Sequence, residues 1–338
     1  MGQLRIGING FGRIGRSAFK IAFERSDIEI VAVNDIADAK TLAYLLKHDS
    51  NYGAYHHEVK VGDGEIIVNS KHIKMLAEKN VELLPWKDLD IDLVIESSGR
   101  FLTKEDAEIH IKAGAKKVVL GYPISNNETD TITMGVNEDK IDNSGAIISS
   151  TGPTINSIGA LMAILDAEFG VQKSIITAIH SYTSAQNLVD SPSDDMRDGR
   201  SAAENIIPSA TGVAVTLAKE LPQFEGKVDG LNLRVPTPVV SISDVTLLLG
   251  RNTTIAEINE VLTRAANEPF YQGILGVSNE PLVSRDYIGN SYSGVVDLSL
   301  TKVVGGNLAK IMVWYDNEWG YCNRLVELAA DVGRSLHN

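Results

Sequence analysis

One stretch decides the fold: LRIGINGFGRIGRSAFKIAF, at residues 4–23. Residues 4–8 alternate in polarity and are rich in branched side chains, which predicts a β-strand. Gly10, Gly12 and Gly15 then complete the pattern G-x-G-x-x-G, and apolar residues follow it at helical spacing. Strand, glycine pattern and helix in this order predict a turn that binds a dinucleotide.

Each glycine of this turn has its own physical role. Gly10 allows the tight turn, Gly12 lets a pyrophosphate approach the backbone, and Gly15 lets helix and strand pack closely. The pyrophosphate would lie on the N–H groups that open the helix. A second strand is predicted at residues 28–33, and Asp35 follows it, where it can accept hydrogen bonds from a ribose and would repel a 2′-phosphate. This favours NAD over NADP; the alternative is a flexible turn with Asp35 as a solvated loop acid.

The rest of the first half alternates between strands and helices. A helix is predicted at residues 104–113, capped by Thr103 with Asp106 three residues later. Alternation of this kind predicts a parallel, doubly wound sheet whose ligand lies at the carboxyl ends of the strands. We therefore expect Gly121 and residues 149–153 near the nicotinamide end of the cofactor. The further predicted strands are 91–99, 116–123, 130–137 and 145–150.

The second half has longer strands, which predict a mostly antiparallel sheet with helices on one face. The fold class is therefore α/β: an N-terminal Rossmann dinucleotide-binding domain and an α+β catalytic domain. We expect the first at residues 1–150 and the second at 151–318, with a C-terminal helix at about 319–338 that packs back on the first. A polar segment, 184–200, is too long for an ordinary connection and is expected to be functional or buried at an interface.

Composition limits the function classes. A chain of 338 residues, 43% hydrophobic and 22% charged, is typical of a soluble protein of two domains. The net charge of −13 argues against a nucleic-acid partner, although arginines and helix N-termini can still bind a small anion. The single cysteine, Cys322, excludes an internal disulfide framework and fits a cytoplasmic location. We expect no secretory signal, no membrane partner and no metal site.

Several residues of the second half are candidates for catalysis or anion binding. His180 ends a predicted strand and can exchange protons near neutral pH; the alternative is a hydrogen-bonded structural histidine. Arg234 lies among small apolar residues and therefore needs an anion or an acidic partner. Candidate ligands for phosphate oxygens, with salt bridges to nearby acids as the alternative for the arginines, are Thr183, Arg197, Thr211, Gly212 and Arg234.

The segments INGFGRIGR, AVNDI, MGVN, HSYT, NIIPSATG, LRVPTPVVS, PLVSRDY and WYDNEWGY resemble the glyceraldehyde-3-phosphate dehydrogenase family nearly end to end. The resemblance implies a homotetramer that binds NAD, a phosphorylated small-molecule substrate and inorganic phosphate. It also implies oxidation of an aldehyde through a cysteine thiohemiacetal, with hydride passed to NAD and the acyl group released to phosphate.

The resemblance also implies roles for individual residues. It makes His180 the general base, and it places Thr183 and Arg234 at the substrate phosphate. It places Thr211 and Gly212 at the inorganic phosphate, with Arg197, Gly152 and Thr154 in the same region. It assigns Arg13, Ile14, Asp35 and Asn317 to the cofactor, beside the three glycines. Lys79 and Gly121 are also expected at the cofactor, although the family often has an arginine at the first position and usually a serine at the second.

The chain departs from the family pattern at the nucleophile. Aligned on Asn156, the family motif Ser-Cys-Thr-Thr-Asn-Cys places Pro153 at the cysteine position, and a shift of one residue would place Gly152 there. Proline suits the first position of a helix, so we expect the helix to survive. Cys322 is expected to be out of reach, and Ser157 or Thr154 would need a base to activate a hydroxyl.

Three hypotheses remain open from the sequence. The first keeps the standard reaction through a substitute nucleophile. The second is an NAD-dependent oxidation of another phosphorylated compound, with His180 as acid or base. The third is a non-catalytic regulatory homologue. We expect the standard reaction to be lost.

Overall fold

The computed structural model describes residues 2–101, 103–124 and 129–336. The chain forms two compact units. The first consists of Met1–Ile132, Asn137–Thr151 and Cys322–Asn338, and the second of Thr133–Val136 and Gly152–Tyr321. No helix of the described ranges is long and apolar enough to cross a membrane.

A nine-stranded sheet organises the first unit. Its strands and those of a small hairpin are β1 (Leu4–Asn9), β2 (Ile28–Asn34), β3 (His48–Asp49), β4 (Gly53–Ala54), β5 (Val59–Gly62), β6 (Glu65–Val68), β7 (Lys71–Leu76), β8 (Leu93–Glu96), β9 (Lys117–Leu120), β10 (Asp130–Ile132) and β11 (Ile147–Ser150). The order is β10-β11-β9-β8-β1-β2-β7-β6-β5, and every pair from β10 to β7 is parallel. Strands β5, β6 and β7 pair antiparallel at one edge, and the doubly wound prediction is confirmed for the rest.

Three helices connect these strands: α1 (Arg13–Phe23), α2 (Ala39–Lys47) and α3 (Lys104–Lys112). Helix α3 begins with the predicted capping box, because Thr103 Oγ1 accepts from the Asp106 N–H and the Asp106 carboxylate accepts from the Thr103 N–H. This exchange satisfies two of the backbone N–H groups that a helix start leaves open.

The strand predicted at 130–137 is shorter than expected, because β10 ends at Ile132. The next four residues, 133–136, form a turn and belong to the second unit. Gly135 has a φ of 80° in this turn, and a Cβ there would lie 2.8 Å from Ile274. A positive φ and a close neighbour both favour glycine, and neither is visible in a hydrophobic pattern.

An eight-stranded sheet organises the second unit. Its strands are β12 (Val171–Ser181), β13 (Ile207–Ser209), β14 (Val228–Val235), β15 (Ser241–Leu249), β16 (Leu275–Ser278), β17 (Gly294–Asp297), β18 (Lys302–Val304) and β19 (Leu308–Tyr315). The order is β13-β14-β12-β15-β19-β17-β16, with β18 on β19. Most pairs are antiparallel as predicted, but β12–β14 and β16–β17 are parallel.

The helices that follow are α4 (Pro153–Phe169), α5 (Val213–Glu220), α6 (Ile255–Ala266) and α7 (Trp319–Ser335). Helix α4 is apolar on most of its surface, and Leu161 and Leu165 are fully buried in the core of the second unit. Each such side chain contributes about 1.5–3 kcal/mol when it is removed from water. Pro153 opens α4 with Gly152 as the N-cap, which confirms that the helix survives a proline at its start.

Candidate dinucleotide and anion sites

A cavity of about 280 Å³ lies in the first unit, where β1, β2 and β8 end. It opens at the carboxyl edge of three neighbouring parallel strands, which is where ligands of doubly wound sheets bind. Its lining includes Gly10, Gly12, Asp35, Lys79, Ser98 and Phe101. The structure thus brings two of the predicted glycines together with Asp35 and Lys79.

The glycine turn fits a dinucleotide. Gly10 has a φ of 89°, and a Cβ there would lie 2.5 Å from the Ser98 nitrogen. A Cβ on Gly15 would overlap the carbonyl oxygen of Gly10, so the close helix–strand approach needs this glycine. A Cβ on Gly12 would meet no atom within 4 Å, although Gly12 lines the cavity. Gly12 therefore leaves open a space that a side chain would fill, and its backbone forms the wall.

Asp35 stabilises the same turn through hydrogen bonds. Its carboxylate accepts from the Phe11 N–H at 2.7 Å and from the Ala37 N–H at 3.0 Å. A carboxylate has about four lone-pair positions, so two further hydrogen bonds remain possible. Asp35 can therefore hold the glycine turn in place and still accept from a ribose hydroxyl.

The other predicted cofactor residues of the first unit have structural contacts. Arg13 opens α1, and its guanidinium forms an ion pair with Asp49 at 2.8 Å. Although burial raises the pKa of Asp49, backbone N–H donors and the Arg13 charge hold it below its usual value. Ile14 accepts from Cys322 Sγ at 3.6 Å. A Cβ on Gly121 would lie 3.2 Å from a backbone oxygen, so close packing there favours glycine.

His180 and Arg234 lie side by side in the second unit, because they are register partners of the parallel pair β12–β14. His180 is 6% exposed, and its Nδ1 lies 2.7 Å from the Ser181 carbonyl oxygen. Nδ1–H therefore donates, and Nε2 carries the lone pair. Burial and the nearby Arg234 charge lower the pKa of His180 to about 4, against the raising effect of the Ser181 carbonyl. The ring is thus a neutral proton acceptor at neutral pH.

The guanidinium of Arg234 has hydrogen-bond donors that the described part of the chain does not fully pair. Burial lowers the pKa of its guanidinium, and Nε is buried without a hydrogen-bond partner. Its Nη1 is 3.5 Å from the Ser181 carbonyl oxygen, which is at the limit of a hydrogen bond. No carboxylate of the described residues forms an ion pair with it, so of the two predicted partners the structure favours an anion.

Tyr315, which was not among the predicted site residues, joins this group. Its ring centroid lies 6.0 Å from that of His180, and its hydroxyl is 3.3 Å from Thr154 Oγ1 at the start of α4. Burial raises the pKa of Tyr315 above its usual value, so the hydroxyl stays protonated. The second unit thus assembles His180, Arg234, Tyr315 and Thr154 in one polar cluster.

Asn317 is held next to this cluster. Its Oδ1 accepts from Ser181 Oγ at 3.0 Å and from Ser241 Oγ at 3.2 Å. The residue before Ser241 is Val240, which has a φ of 71° although it is β-branched. Such a conformation costs about 1–3 kcal/mol and persists only where the surroundings enforce it. The two hydrogen bonds from Ser181 and Ser241 orient the Asn317 amide.

The phosphate candidates Thr183 and Arg197 lie directly before and within the irregular segment 184–200. Gln186 Oε1 accepts from the Thr183 N–H at 2.9 Å and from Thr183 Oγ1 at 3.2 Å, and Gln186 in turn donates to Asp198. Arg197 is exposed in the irregular segment 184–200. Gln186 carried no sequence signal, because its role depends on how this segment folds.

Helix α5 begins at Val213, directly after the phosphate candidates Thr211 and Gly212. Gly212 is the N-cap, and Thr211 Oγ1 accepts from the Val213 N–H at 3.3 Å. The threonine side chain therefore accepts the first N–H of this helix.

A cluster of Glu24, His56 and His57 has the residue types of a metal site. Glu24 Oε1 lies 2.6 Å from His57 Nε2 and 3.3 Å from His56 Nε2. Asn69 Oδ1 accepts from the Glu58 N–H, so its amide nitrogen donates to His57 Nδ1 at 2.6 Å. The ring proton of His57 therefore sits on Nε2 and faces Glu24. Hydrogen bonds account for this cluster, and it gives no support to a metal site.

Comparison with known proteins places this geometry in a family. Residues 4–104 match "Glyceraldehyde 3-phosphate dehydrogenase, NAD binding domain", and residues 153–317 match the C-terminal domain of the same enzyme. The chain is 46% identical to glyceraldehyde-3-phosphate dehydrogenase of Geobacillus stearothermophilus over 330 residues, 97% of this chain and 98% of that protein. It is also 46% identical to the Streptomyces coelicolor protein of that name over 335 residues, 98% and 99% of the two chains.

The chain belongs to the glyceraldehyde-3-phosphate dehydrogenase family.

Family membership identifies the ligand of the first unit. The NAD-binding domain of the family covers β1 to β8, which include the three strands at whose ends the cavity lies. NAD is therefore the cofactor, and the open space at Gly12 and the free acceptor positions of Asp35 fit it. When bound, NAD supplies a ring that accepts hydride. The glyceraldehyde-3-phosphate dehydrogenase C-terminal domain covers His180, Arg234 and Thr154.

Proposed function

We propose that this chain is an NAD-binding and sugar-phosphate-binding member of the family that has lost the standard phosphorylating oxidation of its aldehyde. The observation that carries the proposal is the start of α4, which reads Gly152-Pro153 and offers no nucleophilic side chain. The single cysteine, Cys322, belongs to the first unit, where it is fully buried with Sγ 3.6 Å from the Ile14 carbonyl oxygen.

The hydroxyl groups near Pro153 are poor substitutes. Ser157 is 2% exposed and donates to the Thr154 carbonyl oxygen at 2.7 Å. Thr154 Oγ1 is within 3.3 Å of the Tyr315 hydroxyl. A hydroxyl attacks an aldehyde at a useful rate only when an adjacent base removes its proton. His180 is the candidate base, and its lowered pKa makes it a weak one.

The ligand proposed for the second unit is a phosphorylated small molecule. Arg234 supports this, since its buried Nε lacks a partner and no described carboxylate pairs with it. We assign inorganic phosphate to the region of Thr211 and Gly212, as the family resemblance implies. We likewise assign NAD binding to residues 1–150 with the helix at 319–338, and substrate binding to residues 151–318.

We also propose a homotetramer in the cytoplasm, without nucleic-acid or membrane partners. The net charge of −13 supports the absence of nucleic acid. The homotetramer follows from the family resemblance, and several large apolar side chains of the second unit are exposed and available for contact with further copies. They are Leu188, Val189, Met196, Ile206, Val215 and Leu231.

A second candidate function is the NAD-dependent oxidation of a phosphorylated alcohol. This reaction needs a proton acceptor but no thiol. The Ser181 carbonyl favours it, because it holds the proton of neutral His180 on Nδ1 and leaves Nε2 free to accept one. A regulatory protein without catalysis is the remaining alternative, and the same ligands would bind to it.

The test is a single assay on three proteins. NADH formation from glyceraldehyde 3-phosphate, NAD and phosphate is followed at 340 nm for the wild type, Pro153→Cys and Pro153→Ala. We expect activity only in Pro153→Cys, because only that variant gains a thiol; the alanine variant controls for loss of the proline ring. A wild-type turnover of about 1 per second or more, which is the ordinary enzyme range, contradicts the proposal. Phosphorylated alcohols, screened with wild type and His180→Ala, test the second candidate.

A further inference from the structure

A carboxylate is completely buried behind the dinucleotide cavity. Glu96 ends β8 and has no exposed surface. Its Oε2 lies 2.5 Å from Asn9 Nδ2 and 3.0 Å from His110 Nε2, and its Oε1 accepts from the Ser98 N–H at 2.6 Å. Three nitrogen atoms therefore surround Glu96, and the positions of their protons decide its charge.

The proton of His110 is fixed by Trp86. The indole Nε1–H donates to His110 Nδ1 at 3.0 Å, and an indole nitrogen can only donate. His110 Nδ1 must then be a lone pair, so the ring is neutral and its single proton sits on Nε2. That proton points at Glu96, and His110 is a donor to the carboxylate without carrying a positive charge.

The amide of Asn9 is oriented by a similar chain of hydrogen bonds. Asn34 Oδ1 accepts from the Glu78 N–H at 2.9 Å, which fixes the direction of the Asn34 amide. Asn34 Nδ2 then donates to Asn9 Oδ1 at 2.7 Å. Asn9 Nδ2 is left to face Glu96 as a donor.

Glu96 is therefore ionised. All three neighbours donate to it, so a proton on Glu96 would have no acceptor and would oppose an N–H group. No lysine or arginine of the described residues forms an ion pair with Glu96, and His110 is neutral. The group carries one net negative charge in the interior, where an ion without an opposite charge lowers the stability of the fold.

The charge lies behind the cavity wall, because Asn9 and Ser98 hydrogen-bond to Glu96 and also line the cavity. We propose that Glu96 determines cofactor preference by favouring the oxidised dinucleotide over the reduced one. The nicotinamide ring is positively charged in NAD⁺ and neutral in NADH, whereas the adenosine and pyrophosphate are the same in both. Repulsion between Glu96 and the pyrophosphate therefore cancels in the ratio of the two affinities, and attraction to the ring does not.

Coulomb's law sets the size of the effect. With an effective dielectric constant of about 20, two unit charges about 10–20 Å apart change an affinity ratio by about 4- to 16-fold. The inference rests on the NAD cofactor and is independent of the missing thiol, so loss of aldehyde oxidation does not affect its test.

The test measures dissociation constants for NAD⁺ and NADH by isothermal titration calorimetry, for wild type and Glu96→Gln. We expect the preference for NAD⁺ over NADH to fall by about 4- to 16-fold in the variant. Damage to the cavity alone would weaken both cofactors by the same factor. A ratio that stays within about twofold of wild type, whatever the individual affinities, overturns the proposal.

We expect the Glu96→Gln variant to be destabilised, because its new amide group would face the donors of Asn9 and His110. A second pair of proteins, Trp86→Phe and Trp86→Phe/Glu96→Gln, therefore repeats the test. Trp86→Phe removes the donor that fixes His110, so in Trp86→Phe/Glu96→Gln the imidazole can turn its lone pair toward the glutamine. We expect the ratio of NAD⁺ affinity to NADH affinity to be lower in Trp86→Phe/Glu96→Gln than in Trp86→Phe, by the same factor. Equal ratios in this pair overturn the proposal as well.

Discussion

The buried histidine of the second unit predicts a pH dependence of stability. His180 has a pKa of about 4 in the folded chain against 6.5 for an unperturbed histidine, with burial as the first cause and the Arg234 charge as the second. The folded state therefore favours the neutral ring. Between about pH 6.5 and pH 4 the unfolded chain takes up a proton that the folded chain does not, so stability falls as the pH falls through this range.

The magnitude follows from the two values. One pKa unit corresponds to about 1.4 kcal/mol, so the full loss is about 3 kcal/mol once the pH is below 4. At pH 5 about 2 kcal/mol has been lost, and at pH 7 almost nothing. Above pH 6.5 the histidine is neutral in both states and makes no contribution to the slope.

The assay is urea unfolding at pH 7 and pH 5, for wild type, His180→Gln and His72→Gln. Glutamine can still donate to the Ser181 carbonyl but does not titrate. We expect His180→Gln to lose about 2 kcal/mol less than wild type between the two pH values. His72 is an exposed histidine on β7, so its variant should follow wild type. Equal losses in wild type and His180→Gln would refute the reasoning.

Three further predictions concern the glycine turn, the strained valine and a helix cap. Gly12→Ala should leave the free energy of unfolding within about 0.5 kcal/mol of wild type but weaken NAD binding by roughly tenfold in calorimetry. Gly15→Ala should lose about 1–3 kcal/mol in urea unfolding, because its Cβ meets a backbone oxygen. Val240→Gly and Val239→Gly remove equally buried side chains, but only the first relieves a positive φ, so it should be less destabilising by about 1–3 kcal/mol. Thr103→Ala removes the cap of α3 and should lower the free energy of unfolding by about 1 kcal/mol, measured in the same way. Equal stabilities of the two valine variants, or a Thr103→Ala variant as stable as wild type, would contradict these estimates.

Local patterns were sufficient to predict part of the fold. The glycine turn between β1 and α1, the capping box of α3 and the proline at the start of α4 are each specified by residues close in sequence. Their backbone geometry follows from conformational preference and from hydrogen bonds to neighbouring residues. For such elements the sequence alone was a reliable guide, and the family resemblance added the order of the domains.

Long-range pairing could not be predicted in this way. The parallel register of β12 and β14 places His180 beside Arg234, although the two residues are far apart in the chain. Likewise, no spacing rule connects Trp86, His110 and Glu96, whose contacts arise only when α3 packs on its sheet. Such contacts depend on tertiary packing, and so the charge state of the site was not accessible from the sequence.

Arg234 shows how the structure narrows a choice that the sequence left open. The sequence allowed an acidic partner or a bound anion. Asp198 is near enough to raise the pKa of the guanidinium, but its effect is smaller than that of burial, and its Oδ1 accepts from Gln186. An arginine whose Nε is buried without a partner gains more from a phosphate than from water, because a phosphate brings both charge and acceptors. The same anion would neutralise the charge that lowers the pKa of His180, so anion binding and proton uptake by His180 should be coupled.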